Sequence, residues 1–383
     1  MHRPLSALLL LATTGLALDA QPVRRAAGRV ARAASSDSSR LSQAMRSRSA
    51  DTGTAVPCAW AARDRYLPGC RTYLTSVNGD TGRYVVHVPR TYVASRATPV
   101  VFMLHGTSGN GPEFYDRSGW KELGDTATIL TVFPSSWRHC IVDQRDGQQS
   151  RTTKWHVLPS EFTYCQGERP RDDIAFLGKI IDELQVRFAV DRARIYVVGF
   201  SNGGQMAGRV AVELSDRVAA VVSSSGFLPT MQQFTPRRLL PVMLQVGNRD
   251  DRFFASPAPM NVGTLFAGGF FRGVMATYVP TFQLDTTTFT TSGNPNSIVY
   301  TDGRGTSGDA NNVFRFALVA NMAHVYPNGT NHRVKGAELD WGWLRAYTLP
   351  GGEAGNAPPS RGRGRGRPGR RQPADSSAEG RVP

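Results

Sequence analysis

One stretch, RIYVVGFSNGGQMAGRVAVEL, constrains this chain more than any other because it demands a particular backbone turn. The apolar run 195–198 reads as a strand and 202–214 as a helix, leaving only a few residues in which to reverse direction. Within that gap Gly199, Phe200, Ser201, Asn202 and Gly203 form a GxSxG pattern. Small residues on either side of Ser201 let the backbone bend sharply without a side-chain clash. Such a turn lifts the serine hydroxyl off the sheet and points the next peptide N–H, that of Asn202, toward the same space.

Six further apolar runs, at 84–88, 100–104, 129–133, 219–223, 242–246 and 314–319, have the length and lack of alternation of strands covered on both faces. Helical spacing falls between several of them. It is clearest after Asp172 and Asp173, where Ile174, Leu177, Ile181 and Leu184 recur on one face and the aspartates suit a cap and the positive end of the helix dipole. This alternation predicts an α/β fold with a doubly wound, mostly parallel sheet, in a single domain over 51–350.

The ends differ in composition. Residues 1–20 combine His2 and Arg3 with an apolar run shorter than a bilayer span, which reads as a signal peptide cleaved after Ala17 or Ala20. A secreted or periplasmic protein with no stable membrane span after cleavage is therefore expected. Residues 21–50, rich in Ala, Arg and Ser, and 351–383, with alternating Arg and Gly at 361–367, lack the apolar side chains to offset ordering entropy and read as disordered. They hold much of the net charge of +15: eight Arg against two Asp in residues 1–50, and seven Arg against three acidic residues in 351–383. In a nuclear or cytosolic protein the Arg/Gly run would suggest RNA. Behind a secretion signal, nucleic acid is not expected; a solvated tail is the first reading and weak contact with acidic envelope polymers the second.

Four cysteines fit an oxidising compartment, and the short loops favour Cys58 with Cys70 and Cys140 with Cys165. A zinc site on His139, Cys140 and Cys165 lacks the paired CxxC spacing of structural zinc, so no metal is expected.

A serine is a weak nucleophile at neutral pH and needs a base within hydrogen-bond reach. In the chain order serine, acid, histidine, two histidines qualify. His324 follows a strongly apolar strand, whereas His332 sits in a polar Asn/Gly loop, so His324 is the candidate. The carboxylate that would orient it belongs after the 242–246 strand, where Asp250 and Asp251 are adjacent and spacing does not choose between them. A second oxyanion donor is expected from the loop after 100–104, where His105 and Gly106 precede the Thr107 N–H. The His105 side chain reads as a brace for that loop.

The pieces LHGTSGNG, RDDIAFLGKIIDEL, VDRARIYVVGFSNGGQM, LQVGNRDD and MAHVYPNG, in this order over about residues 80–347, resemble the polyhydroxybutyrate depolymerase-like esterase family, which includes feruloyl and acetylxylan esterases. The resemblance implies the α/β-hydrolase fold and a serine esterase or depolymerase needing no cofactor. It also implies Asp250 as the acid, three residues after Gly247. The implied substrates are hydroxyalkanoate esters or feruloyl and acetyl esters of polysaccharides, with Trp155, Phe253 and Phe254 as candidate substrate contacts. The chain departs from the family at Val246, Phe253, Phe254 and Thr107, positions that bear on the substrate pocket. An acyltransferase on the same fold, and a non-catalytic secreted polymer-binding protein, are the alternatives.

Overall fold

A computed structural model describes residues 59–60, 69–142, 146–158, 162–230, 232–254 and 259–351. The expected signal peptide, the segment 21–50, the tail beyond residue 351 and the Cys58–Cys70 pairing lie outside those residues. No helix among the described residues is long and apolar enough to cross a membrane.

In chain order the described elements are β1 (Ala59–Trp60), β2 (Gly69–Val77), β3 (Asp80–Val88), β4 (Thr98–Leu104), α1 (Gly111–Arg117), α2 (Trp120–Ala127), β5 (Leu130–Pro134), β6 (Arg138–Val142), β7 (Gln149–Thr153) and β8 (Thr163–Tyr164). They continue with α3 (Asp173–Arg187), β9 (Val190–Phe200), α4 (Asn202–Glu213), β10 (Ala220–Ser224), β11 (Val242–Gly247), α5 (Val262–Ala267), α6 (Gly269–Phe282), β12 (Leu284–Gly293), β13 (Ile298–Gly305), β14 (Val313–Val319) and α7 (Gly336–Leu344). Each of the seven apolar runs read as a strand falls in one of these strands, apart from single end residues.

Among the described residues the large sheet has the order β1-β2-β3-β5-β4-β9-β10-β11-β14-β13-β12. Its centre, β5 through β14, is parallel, with antiparallel strands toward both edges. The central strands are buried on both faces, and their side chains alternate between two cores. Val100, Phe102 and Leu104 pack with Phe176 and Leu177 of α3, Met206 and Val210 of α4 and Val274 of α6. Val101 and Met103 pack on the other face with Trp120 of α2 and Trp343 and Leu344 of α7. Helices on both faces are what a parallel sheet needs to keep water from its apolar strands.

The helix predicted after Asp172 is α3, capped by the Asp172 carboxylate, which accepts the Ala175 N–H at 2.9 Å. Ile174, Leu177, Ile181 and Leu184 are all buried. Asp173 is more than a dipole partner: it is completely buried, accepts the His156 N–H at 2.7 Å, and burial pushes its carboxyl up to about 8. A separate three-stranded sheet, β7-β6-β8, lies between β5 and α3 in the chain and carries the Cys140–Cys165 disulfide.

Candidate active site

The loops leaving β4, β9, β11 and β14 all start at carboxyl ends of parallel strands in one run of the sheet. Ligand sites of open α/β sheets form at such ends. Ser201 leaves β9 with φ 56° and ψ −122°, a conformation rare for any residue with a side chain. Two close approaches hold it there. A Cβ on Gly199 would overlap the Gly203 carbonyl, and one on Gly203 would overlap the carbonyls of Leu104 and His105. Both glycines of the GxSxG pattern are therefore fixed by space.

The three residues expected to act together meet in this structure. His324 Nε2 lies 2.9 Å from Ser201 Oγ, and its Nδ1 lies 3.0 Å from each oxygen of Asp250. Asp250 is buried while Asp251 is exposed, so the geometry separates two neighbours that spacing left equivalent. The imidazole is flanked by the ring of Phe200 at 5.1 Å and that of Phe253 at 6.1 Å. His332 lies apart from this group: its Nε2 meets the Ala320 carbonyl and its Nδ1 accepts the Val334 N–H, bracing the loop after β14.

The β4 loop runs beside Ser201, close enough that a Cβ on Gly106 would sit 3.2 Å from the Ser201 Cβ. Neither the Thr107 N–H nor the Asn202 N–H, at the first position of α4, meets an acceptor among the described residues. His105 is completely buried; its Nδ1–H donates to the Gly106 carbonyl at 2.7 Å and its Nε2 accepts the Ser136 N–H at 3.0 Å. Burial lowers its pKa to about 4, so it stays neutral, as one donated and one accepted bond require.

Two of the expected substrate contacts are displaced. Trp155 has no exposed surface, and both its N–H groups are used inside the protein, so it cannot face a ligand. Phe254 is 6 % exposed and belongs to the core. Phe253 is half-buried and joins Phe227 and Phe270 in a cluster with ring centroids 5.1–5.6 Å apart. Sequence reading missed Phe227 and Phe270, which lie in segments carrying no catalytic pattern.

A profile for the alpha/beta hydrolase fold matches residues 99–267, which take in β4 through α5 and the serine turn. Among curated proteins the chain is 28% identical over 176 residues to NocK of Nocardia uniformis subsp. tsuyamanensis, an esterase candidate, covering 45% of this chain and 46% of that protein. It is 28% identical over 140 residues to poly(3-hydroxyalkanoate) depolymerase C of Paucimonas lemoignei, covering 37% and 30%. It is 22% identical over 270 residues to the bifunctional acetylxylan esterase/xylanase XynS20E of Neocallimastix patriciarum, covering 70% and 34%. The matches thus span less than half the length of each of these relatives. A solved acetyl xylan esterase from Aspergillus awamori aligns with a TM-score of 0.47 at 14% identity, over 72% of this chain and 98% of that one.

Proposed function

We propose that the chain is a serine carboxylic-ester hydrolase of the α/β-hydrolase fold, working through an acyl-enzyme; the profile match over residues 99–267 supports the fold. The observation that carries this reading is the unbroken contact from Ser201 Oγ through the His324 ring to the buried Asp250 carboxylate.

In the proposed cycle His324 Nε2 takes the proton of Ser201 Oγ as the oxygen attacks the ester carbonyl. Asp250 holds Nδ1 protonated and stabilises the imidazolium that forms. The Thr107 and Asn202 N–H groups receive the negative charge on the carbonyl oxygen, for which they have no competing acceptor. His324 then gives its proton to the departing alcohol, leaving an acyl group on Ser201. Water, deprotonated by the same nitrogen, releases the acid and restores the serine.

Phe253, beside His324, is placed to pack against an apolar part of the ester. The named activities of the relatives favour hydroxyalkanoate or acylated-polysaccharide esters, met outside the cell after export by the expected signal peptide.

The test is hydrolysis of a p-nitrophenyl short-chain ester by the wild type and by Ser201→Ala. Activity in the first and its loss in the second is expected. Equal activity in both, or none in the wild type, would overturn the reading.

A further inference from the structure

Trp155, expected to touch substrate, is instead the meeting point of the two loops that form the candidate oxyanion site. Its backbone N–H donates to Asn202 Oδ1 at 2.7 Å, and its carbonyl accepts from Asn202 Nδ2 at 3.2 Å. Both ends of the Asn202 amide are thus held by one residue. The Trp155 indole Nε1–H donates to the His105 carbonyl at 2.8 Å, and its ring lies 5.1 Å from that of His105.

The residues just before Trp155 hold the other side of the same loop. The Ser108 N–H donates to the Thr153 carbonyl at 2.9 Å, Thr153 Oγ1 donates to the Gly109 carbonyl at 2.6 Å, and the Ser108 and Thr152 hydroxyls meet at 2.7 Å. Thr107 therefore stands between residues tied to one segment, 152–155, and the Asn202 N–H belongs to a residue tied to it as well. The segment is anchored on its far side, where Asp173 accepts the His156 N–H and Arg209 donates to the His156 carbonyl at 2.6 Å.

We propose that segment 152–155 is the positioning element of the oxyanion site, with Trp155 fixing the separation and direction of the Thr107 and Asn202 donors. The inference rests on the ester-hydrolase reading. Its physical basis is that an oxyanion donor contributes only if it already points at the developing charge, since reorientation during the reaction would consume the stabilisation. The two donor loops also approach each other directly, where Gly203 meets the Leu104 and His105 carbonyls, and segment 152–155 adds to that packing hydrogen bonds that tie both loops to one element. The side chain of Asn202 would serve this purpose while its peptide N–H does the chemistry.

The test compares wild type with Trp155→Phe, which keeps an aromatic ring but removes the Nε1–H bond to His105, and with Thr153→Val, which removes the bond to Gly109 at nearly constant volume. Readouts are kcat and KM for a p-nitrophenyl ester and the inhibition constant of an aryl trifluoromethyl ketone, whose adduct with Ser201 places an oxyanion between the donors. The expected result is a kcat lower by on the order of tenfold to a hundredfold, at or below the effect of deleting one donor. KM should stay within about twofold, as for loss of an interaction made only in the transition state. Ketone affinity should weaken in step with kcat/KM. Should Trp155→Phe fail to fold, Thr153→Val gives the same reading with a smaller loss. Unchanged kcat and ketone affinity in a folded variant would overturn the proposal, as would a loss of kcat with no loss of ketone affinity. A wild type inert toward both ester and ketone would overturn the ester-hydrolase reading itself, and with it this one, before any variant is compared.

Discussion

His324 Nδ1 faces both carboxylate oxygens of Asp250 at 3.0 Å, across 74 residues of chain, and the carboxylate has no exposed surface. Its neighbour Asp251 is exposed. An aspartate so placed fixes which ring nitrogen carries the proton, leaving Nε2 free to accept from serine. Asp250→Asn is expected to lower kcat on a p-nitrophenyl ester by about 10⁴-fold, the scale of losing the correct tautomer. Asp251→Asn should leave it within about twofold. Matching losses in the two variants would remove Asp250 from the proposed mechanism.

The central sheet was legible because strands buried on both faces must be apolar throughout. Runs such as 100–104 and 242–246 carry that requirement in plain view. The edges were not. β12, LDTTTFTTSG, is largely exposed and rich in threonine, so no apolar pattern marks it, and β2 alternates only in part. β9 begins at Val190, earlier than its apolar run, because Asp191 and Arg194 pair with each other and let polar residues sit within the strand. The serine turn and the histidine loop were legible because each is bound to the end of a readable strand. Trp155 was not, because no spacing rule distinguishes an aromatic that lines a pocket from one that ties two loops together, and only the partners of its two N–H groups do so.

The strained turn at Ser201 has a measurable consequence for stability. A non-glycine residue at φ 56° and ψ −122° costs on the order of 1–3 kcal/mol, part of which glycine recovers. Ser201→Gly and Ser201→Ala should both be inactive. By urea denaturation, however, the glycine variant should be the more stable of the two by about 1 kcal/mol. Equal stability, or a more stable alanine variant, would show that the turn carries no such strain.

Phe253 is the half-buried ring next to His324, backed by Phe227 and Phe270. If an aromatic or apolar acyl group packs there, Phe253→Ala should raise KM for a feruloyl ester about three- to tenfold, the scale of one aromatic pair. KM for an acetyl ester should change far less, since an acetyl group offers little surface to the ring. Parallel changes for both esters would place the acyl group elsewhere.

Asp340 links stability to pH. It is completely buried on α7 and accepts the Tyr326 hydroxyl at 2.7 Å, while Tyr326, two residues after His324, accepts the Trp120 Nε1–H at 2.9 Å. Burial lifts the Asp340 carboxyl to about 7, whereas an unfolded aspartate ionises near 3.9 (about). Between those values the folded chain keeps a proton that the unfolded chain has released. The stabilisation is therefore fully present below about pH 4 and is lost as pH rises through about 7. Asp173, lifted to about 8 by the same cause, extends the window upward. His105 acts in the opposite sense: its lowered pKa gives stability that is present above about 6.5 and lost as pH falls through about 4. A single melting curve mixes these effects, and comparison with Asp340→Asn isolates one of them. The asparagine keeps an acceptor for Tyr326 but cannot ionise. Its Tm relative to wild type is expected to rise from pH 5 toward pH 7 and to level off above about pH 7, where the folded wild type has also lost the proton. A difference that stays constant over that range would mean that Asp340 does not titrate there.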